Sequence, residues 1–418
     1  MSAETPSGTA SSGPVFDPFD PRWSEDPFPL YAELRAHAPA HRSPAGFWVF
    51  TRHGDCQAVL RDRAASVDEE TVDPSRLSEQ FRRPDRTGDE LAEALAEARP
   101  FLFRDPPDHT RLRGLVAKAF TPKVVESLRA PTQRLVDQLL DRALQHGEVD
   151  LVEAFAYPLP VTVICDLLGI PEADRGRFTG WSAALARGLD PDFLLGPEAL
   201  NDRLEAILQF AEYFAHLIAA RRADPGDDLL SALALAEEHG AVLTEGELLS
   251  TCILLLVAGH ETTVNLIGGG VHALLDQPAA LAQLRAHPEL VRTGVDELLR
   301  FVSPVQLTAR SFLEDITVGG IDLRAGDFAM LLLASANRDP DVFDDPDRLH
   351  LDRTPNNHLG FGFGLHHCLG APLARMEAQL AIGTLVRRCP DLSLAGDVPY
   401  HGTVVLRGPS TLPVRLVP

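Results

Sequence analysis

Residues 361–370 read FGFGLHHCLG, and the APLAR that follows them, up to Arg375, is typical of the start of a helix. Three glycines flank Cys368, and glycine lets the backbone take positive φ angles and pass close to a large flat ligand. A cysteine that precedes a helix lies near the positive end of the helix dipole and near free amides, which favour thiolate over thiol. Haem iron needs such an electron-donating ligand when it cleaves an O–O bond. The stretch therefore predicts that Cys368 is a thiolate ligand to a metal held in a large flat group.

The same ten residues match the haem-binding signature of the cytochrome P450 family, Phe-Gly-x-Gly-x-His-x-Cys-x-Gly, at every fixed position. The sequence therefore resembles that family. The resemblance implies a mainly α fold with a minor β region, in which a triangular helical prism encloses haem b (iron protoporphyrin IX). It also implies that Cys368 is the metal ligand, and that Phe361, Gly362, His366 and Gly370 contact the haem.

The stretch AGHETT, which begins at Ala258, resembles the oxygen-binding segment of the family's long distal helix. In that role Ala258 and Gly259 are small enough to leave room for dioxygen, the co-substrate. Thr262 turns its hydroxyl towards the oxygen and Glu261 relays protons, because O–O cleavage requires positioned proton donors. The alternative is that Thr262 only donates a hydrogen bond to the preceding turn. We interpret His260 as an ordinary polar position.

Four basic side chains match the family's contacts to the two haem propionates: His109, Arg113, Arg310 and His366. The first two lie four residues apart and so share one face of a helix. Buried carboxylates need such cations, because their desolvation would otherwise be costly. Arg104 and Arg111, close by in sequence, are interpreted as solvated surface charges.

Glu297 and Arg300 lie three residues apart on a predicted helix and can point together. Such a pair alone is usually a surface ion pair of little value. The resemblance, however, implies a buried triad with a second arginine from a Pro-x-Arg-aromatic segment. Arg348 is the implied partner, although Leu349 stands where an aromatic residue is usual. The implied role is to hold the scaffold.

Hydrophobic periodicity, capping residues and turn residues predict the elements along the chain. A capping box, Thr244-Glu-Gly-Glu247, opens the long helix that contains AGHETT. Residues 1–14 are expected to be a disordered arm, and 15–418 a single domain. Predicted helices cover 29–37, 55–61, 89–97, 244–275, 288–303 and a segment after 368; predicted β segments cover 46–51, a hairpin region at 312–334 and 403–406.

The chain is strongly acidic, with 38 Lys and Arg against 60 Asp and Glu and a formal net charge of −22. Such a charge disfavours nucleic acid and anionic membrane surfaces as partners. The N-terminus has no signal-peptide pattern, and the most apolar run, 253–259, is too short to span a bilayer. We therefore expect a soluble, cytoplasmic protein. The five cysteines form no CxxC pair, which argues against zinc and disulfides, so those other than Cys368 are expected to be inert buried thiols.

The resemblance places substrate contacts in four variable segments: 67–103, 178–200, 305–307 and the turn around Thr403. Their apolar to mixed character suggests a moderately hydrophobic substrate. The first segment contains an acidic run, Val67-Asp-Glu-Glu70. This run either meets a basic group of the substrate or is a solvated loop.

The resemblance implies a monooxygenase that hydroxylates or epoxidises a small organic molecule in secondary metabolism. The sequence contains no flavin or iron–sulfur segment, so a separate ferredoxin and ferredoxin reductase are expected to supply electrons, and the protein is expected to be a monomer. One alternative is a peroxide-driven or rearranging haem-thiolate enzyme, which the intact Glu261–Thr262 pair disfavours. Another is a non-catalytic haem-binding or recruitment protein of the same fold.

Overall fold

The computed structural model describes residues 13–20, 22–78, 99–238 and 241–417. Long helices dominate these residues, and short strands form small sheets beside them. The helices are α1 (Arg22–Glu25), α2 (Phe28–His37), α3 (His53–Arg61), α4 (Asp108–Ala117), α5 (Pro122–Leu144), α6 (Pro158–Leu168), α7 (Phe178–Arg187), α8 (Pro197–Ala223), α9 (Leu229–Ala234), α10 (Glu245–Asp276), α11 (Pro278–Ala286), α12 (Val291–Val302), α13 (Leu333–Ala336) and α14 (Ala371–Arg388).

The strands are β1 (Ala40–Arg42), β2 (Trp48–Phe50), β3 (Ala65–Ser66), β4 (Glu148–Asp150), β5 (Glu237–Glu238), β6 (Ala241–Val242), β7 (Thr308–Phe312), β8 (Ile316–Val318), β9 (Ile321–Leu323), β10 (Phe328–Leu331), β11 (Ser393–Leu394) and β12 (Pro413–Arg415). A five-stranded sheet has the order β1-β2-β10-β7-β3, and a three-stranded sheet has the order β11-β12-β4. Within the larger sheet β10 runs parallel to β2 and antiparallel to β7.

Helix α10 is the central element of the core. The predicted capping box is present: the Thr244 hydroxyl accepts from the Glu247 amide, and the Glu247 carboxylate accepts from the Thr244 amide. The helix packs against α6, α12 and α14. It is long and apolar enough to cross a membrane, yet 67% of its most apolar window is buried in the protein. That burial is typical of a core helix.

Most predicted elements lie within two residues of their observed bounds. The region from 288 begins with a short 3₁₀ turn, Pro288–Leu290, before α12. The expected hairpin is β8 and β9, with Gly319 and Gly320 at φ of +59° and +79° in the turn. The strand predicted at 403–406 is wrong, because only Leu406 forms an isolated bridge, to Val305, and the strand of the tail is β12. The predicted helix at 89–97, and residues 1–12 of the predicted arm, lie outside the described residues.

Candidate active site

The loop that contains Cys368 runs from Phe361 to the start of α14. The Cys368 amide donates to the Phe361 carbonyl at 2.8 Å, which closes the loop on itself. Gly362 and Gly364 have φ of +68° and +71°, a region that side chains other than glycine's disfavour. A Cβ on Gly364 would overlap the carbonyl oxygen of Leu60 at the end of α3. The loop therefore requires glycine for two reasons: the positive φ angles at Gly362 and Gly364, and the close approach of the Leu60 carbonyl at Gly364.

Cys368 differs from the other four cysteines, which are all buried, because its side chain is exposed. Burial of its surroundings raises the pKa of the Cys368 thiol, while the amides of Gly370 and Ala371 and the charges of Arg113 and Arg375 act to lower it. The net pKa lies above the usual range, so the helix N-terminus alone does not produce the thiolate. A metal cation at the sulphur would complete the deprotonation. By contrast, burial raises the pKa of Cys165 to about 12, as expected for an inert thiol.

The four predicted propionate ligands converge. The rings of His109 and His366 lie 4.2 Å apart between centroids. Burial, together with the charges of His109, Arg310 and Arg113, lowers the pKa of His366 to about 3. Burial also lowers the pKa of Arg310 to about 10. Residues as far apart in sequence as His109 and His366, 257 positions, thus bring their basic groups to one place.

Among the described residues, this cluster has more basic groups than acidic partners. His109 is fully buried, and neither of its ring nitrogens has a hydrogen-bond partner. Asp105 is the carboxylate whose charge acts on His109 and Arg310, and it also accepts from Ser66 and Val67. The two arginines are cations that require anions, and the two histidines, whose pKa values are lowered, offer ring N–H donors to the same anions. Two carboxylates of a bound group, such as the haem propionates, fit the cluster.

On α10 the stretch AGHETT faces two directions. Ala258 is exposed, and Thr262 lies one turn further along the same face. The Thr262 hydroxyl donates to the Ala258 carbonyl at 2.9 Å, which is the alternative considered from the sequence. A hydroxyl that donates once still has two lone pairs that can accept. This hydrogen bond to the preceding turn therefore orients the Thr262 oxygen, which can still accept a hydrogen bond from another donor.

Gly259, which is predicted to leave room for dioxygen, also has a role in the packing of two helices. A Cβ on Gly259 would lie 3.1 Å from Cγ1 of Ile164 on α6. Its missing side chain therefore makes room for the packing of α6 on α10. Ala258 is the small residue on the exposed face, and that Gly259 leaves room for dioxygen stays a prediction.

His260, interpreted from sequence as an ordinary polar position, is fully buried beside Glu261. Its Nδ1 lies 2.6 Å from the Leu256 carbonyl oxygen, which can only accept, so Nδ1 carries a hydrogen. Its Nε2 is buried without a hydrogen-bond partner and lies 3.3 Å from Oε1 of Glu261. An ionised Glu261 and an unprotonated Nε2 would bring two lone pairs together. The two side chains are therefore close neighbours without a hydrogen bond between them, a contact that helix periodicity could not reveal.

The predicted triad exists, but its third member is Arg353 and not Arg348. Both Glu297 and Arg300 are fully buried, and Arg300 donates to both Glu297 carboxylate oxygens at 2.8 Å. Arg353 Nε donates to Glu297 Oε2 at 2.9 Å. The Arg348 side chain is 69% exposed and lies near Asp345, and only its carbonyl accepts from Arg300. The prediction for Arg348 is wrong because the chain turns between 348 and 353 and presents the later arginine.

Arg111 and Arg104 are also more than solvated charges. Arg111 pairs with Glu247 in the first turn of α10. Arg104 Nε donates to the Arg99 carbonyl at 2.7 Å. The first of these pairs joins α4, which carries the propionate ligands His109 and Arg113, to the helix that carries AGHETT.

Three of the predicted substrate segments meet at one place. The buried carboxylate of Asp190, which follows α7, accepts from the amides of Val404 and Val405 at 2.8–3.1 Å; we call this contact the Asp190 clasp. The Gln306 amide in turn donates to the Val405 carbonyl at 2.8 Å. Burial raises the pKa of Asp190 despite these two amides.

The fourth predicted substrate segment contains its own cation. Arg99 donates to Asp68 at 2.6 Å and to Glu70 at 3.1 Å. Within the described part of this segment, Arg99 therefore pairs with two of the three carboxylates of the acidic run. This pairing does not decide whether the acidic run meets a basic group of the substrate or is a solvated loop.

Comparisons with known proteins agree with this geometry. The family model described as Cytochrome P450 matches residues 76–394. The cytochrome P450 monooxygenase PikC of Streptomyces venezuelae is 41% identical over 424 residues, which cover 98% of this chain and 96% of PikC. The mycinamicin IV hydroxylase/epoxidase of Micromonospora griseorubida is 42% identical and covers 92% of this chain and 94% of its own length.

A solved structure supports the same conclusion. The Bacillus subtilis 168 bacillaene polyketide synthase cytochrome P450 PksS matches with a TM-score of 0.86 and 39% identity, over 97% of this chain and 100% of that chain. These comparisons confirm the family resemblance and the fold class that were inferred from the sequence. The chain belongs to the cytochrome P450 family of haem-iron monooxygenases.

Proposed function

We propose that this chain uses haem b, bound through Cys368, to insert one atom of dioxygen into a moderately hydrophobic small molecule of secondary metabolism. The observation that carries the proposal is the convergence of His109, Arg113, Arg310 and His366 on a partly buried site that, within the described ranges, has too few acidic partners. The substrate class is supported by the relatives, since one is named a mycinamicin IV hydroxylase/epoxidase and another is named a bacillaene polyketide synthase cytochrome P450.

The bound haem would supply oxygen activation, and the protein would supply binding and protons. Cys368 would hold the iron, and Phe361, Gly362 and Gly370 would contact the haem. The two histidines and two arginines of the basic cluster hold the propionates. On α10, Glu261 would relay protons, and the Thr262 hydroxyl, which is oriented by its bond to the Ala258 carbonyl, would pass them to the site. Monooxygenation consumes two electrons and two protons, so one oxygen atom enters the substrate and the other leaves as water.

Members of this family act on small substrates with redox partners. For this chain we propose a separate ferredoxin and ferredoxin reductase, a monomeric state and a cytoplasmic location. The chain folds as a single domain from about residue 15. The substrate contacts come from the segments that meet at the Asp190 clasp.

The carbon monoxide spectrum of the reduced protein tests the ligand assignment. Thiolate ligation gives a strongly red-shifted band, which the wild type and Cys389→Ala should both show and Cys368→Ala should lack. Cys389 is the matched control, since it is a buried cysteine at the other end of α14. A wild-type spectrum without the red shift would overturn the proposal, and it would favour a protein of the same fold without this chemistry.

Thr262→Ala separates monooxygenation from the peroxide-driven or rearranging alternative. The substitution removes the oxygen that receives the proton donor while leaving the helix intact. We expect oxygen consumption to continue with a loss of product of at least about tenfold, because general acid–base groups contribute on that order or more. Thr263→Ala, the next position, is the control, since its hydroxyl also bonds back to the helix at 3.4 Å. Unchanged coupling in Thr262→Ala would remove Thr262 from the mechanism.

A further inference from the structure

The segment that leads into the cysteine loop, 358–361, is held from outside by one carboxylate. Asp296 on α12 accepts from Nε2 of His358 at 3.2 Å and from Nε of Arg375 at 2.8 Å, both on its Oδ1. His358 precedes the loop, and Arg375 lies on α14 after it. One oxygen atom therefore joins the two ends of the segment that carries Cys368.

The protonation of His358 follows from its contacts. Its Nδ1 accepts from the Gly360 amide at 3.1 Å, so this nitrogen carries no hydrogen. The hydrogen of the neutral ring is then on Nε2, where it points at Asp296. The side chain is only 4% exposed. The imidazole thus transmits the position of the Asp296 carboxylate to the backbone at Gly360.

The next link reaches the cysteine. Gly360 lies so close to α12 that a Cβ would overlap Cγ of Leu299, which stops the segment from moving inward. The following residue, Phe361, accepts the Cys368 amide on its carbonyl at 2.8 Å. Its ring lies under the Arg375 guanidinium, 4.5 Å from the ring centroid. Phe361 is therefore fixed on its backbone side through His358 and on its ring side through Arg375.

We propose that Asp296 is a positioning residue for the haem ligand: by holding His358 and Arg375, it fixes Phe361 and hence the place of the Cys368 sulphur. Groups of this kind, which orient a metal ligand through its neighbours, tune metal binding without touching the metal. The inference rests on the proposed function, in which Cys368 binds iron. A carboxylate that only stabilised α12 would affect unfolding and leave the sulphur where it is.

Asp296→Ala and Asp296→Asn test the proposal in the haem-loaded, full-length protein. The measurements are the carbon monoxide spectrum of the reduced form and the rate of haem transfer to excess apomyoglobin. Asp296→Ala should release haem on the order of tenfold faster and show a larger unshifted fraction. Asp296→Asn should lie between it and the wild type, because an amide oxygen still accepts from both donors.

Asp276→Asn is the matched control. Asp276 also faces a histidine, His272, at 3.6 Å, but the pair lies at the C-terminal end of α10. This variant should keep the wild-type spectrum and haem release. The proposal is overturned if Asp296→Ala keeps both as well, whatever happens to its melting temperature.

A second pair covers the case in which Asp296→Ala does not fold. In His358→Asn the amide side chain can accept from the amide two residues on and so replace Nδ1, whereas His358→Ala cannot. The asparagine variant should therefore release haem more slowly than the alanine variant, and equal rates would contradict the proposal. A wild type without the red-shifted band would instead refute the proposed function, so the two failures are distinguishable.

Discussion

Glu377 on α14 carries a carboxyl group that the protein buries without a counter-charge. Its Oε2 has no hydrogen-bond partner, and burial raises the pKa of Glu377 to about 8 from 4.5. Because a carboxylate in the core is costly, the group stays protonated near neutral pH. The folded state then holds a proton that the unfolded state has lost. This contribution opposes folding progressively as the pH rises from about 4.5 to about 8.

Glu377→Gln should remove this penalty. The unfolding free energy of the variant should equal that of the wild type near pH 4 and exceed it increasingly above, by about 1.4 kcal/mol per pH unit up to about pH 8. Urea unfolding at several pH values measures the difference. Glu289→Gln, at a side chain 73% exposed, is the control and should show no such growth. A constant difference at all pH values would mean that Glu377 is ionised in the folded protein.

Single residues were predictable from sequence where the information is local. Cys368 and the Glu297–Arg300 pair follow from fixed spacings within one loop or one helix. Arg353 could not be predicted in this way, because the irregular segment 348–353 determines which arginine reaches the buried Glu297 carboxylate. The partnership of Arg111 with Glu247 spans 136 residues and depends wholly on the tertiary fold.

At the scale of elements, the glycine triplet in α10 shows how close the core helices lie. A Cβ on Gly268 would lie 3.0 Å from Cγ of Pro409, and one on Gly270 would lie 3.3 Å from Leu298. At Gly269 the nearest atoms are at 3.6 Å, an ordinary contact. The triplet therefore serves close packing with the C-terminal segment and α12, and only its middle position has room for a methyl group.

Alanine substitutions in the triplet should have opposite effects. Gly269→Ala should raise the unfolding free energy by up to about 1 kcal/mol, since alanine has the higher helix propensity. Gly268→Ala should lower it, because the Pro409 ring must move. Denaturant unfolding of both variants compares the two effects directly. Equal stabilisation would show that the Pro409 contact is easily displaced.

Element bounds were predictable where capping chemistry marks them, as at Thr244. The tail was not: β12 pairs with β4, whose residues 148–150 lie far back in sequence, so period alone could not locate it. Alternation at 403–406 reflects the apolar cluster under the Asp190 clasp, which includes Val404 and Val405.

At the scale of the whole molecule, the charge distribution is uneven. A groove of about 930 Å³ between α5, α11, α12 and α14 is lined by five arginines and one acidic residue: Arg129, Arg285, Arg292, Arg375, Arg387 and Glu126. The chain as a whole carries a net charge of −22, so this groove stands out as basic. Arg375 belongs to the second turn of the helix that follows Cys368, so the groove adjoins the face nearest the sulphur. An acidic electron donor would be steered to this face.

Reduction by an acidic ferredoxin should therefore slow as ionic strength rises. Replacing Arg285 and Arg292 together by glutamine should lower the rate at low salt and weaken its salt dependence. Arg222→Gln, an exposed charge at the end of α8, is the control for net charge and should change neither. A rate that is insensitive to salt would exclude electrostatic steering. Stopped-flow reduction under carbon monoxide measures all three proteins.

The Asp190 clasp has a consequence for how the enzyme can diversify. Its donors are main-chain amides at 404 and 405, which every residue except proline provides. The side chains at these positions can therefore change while the main chain of the turn stays bound to Asp190. None of the clasp's hydrogen bonds involves the cysteine loop or α10. During evolution, the proposed substrate contacts in this turn can thus change one residue at a time, while the cysteine loop and α10 stay as they are.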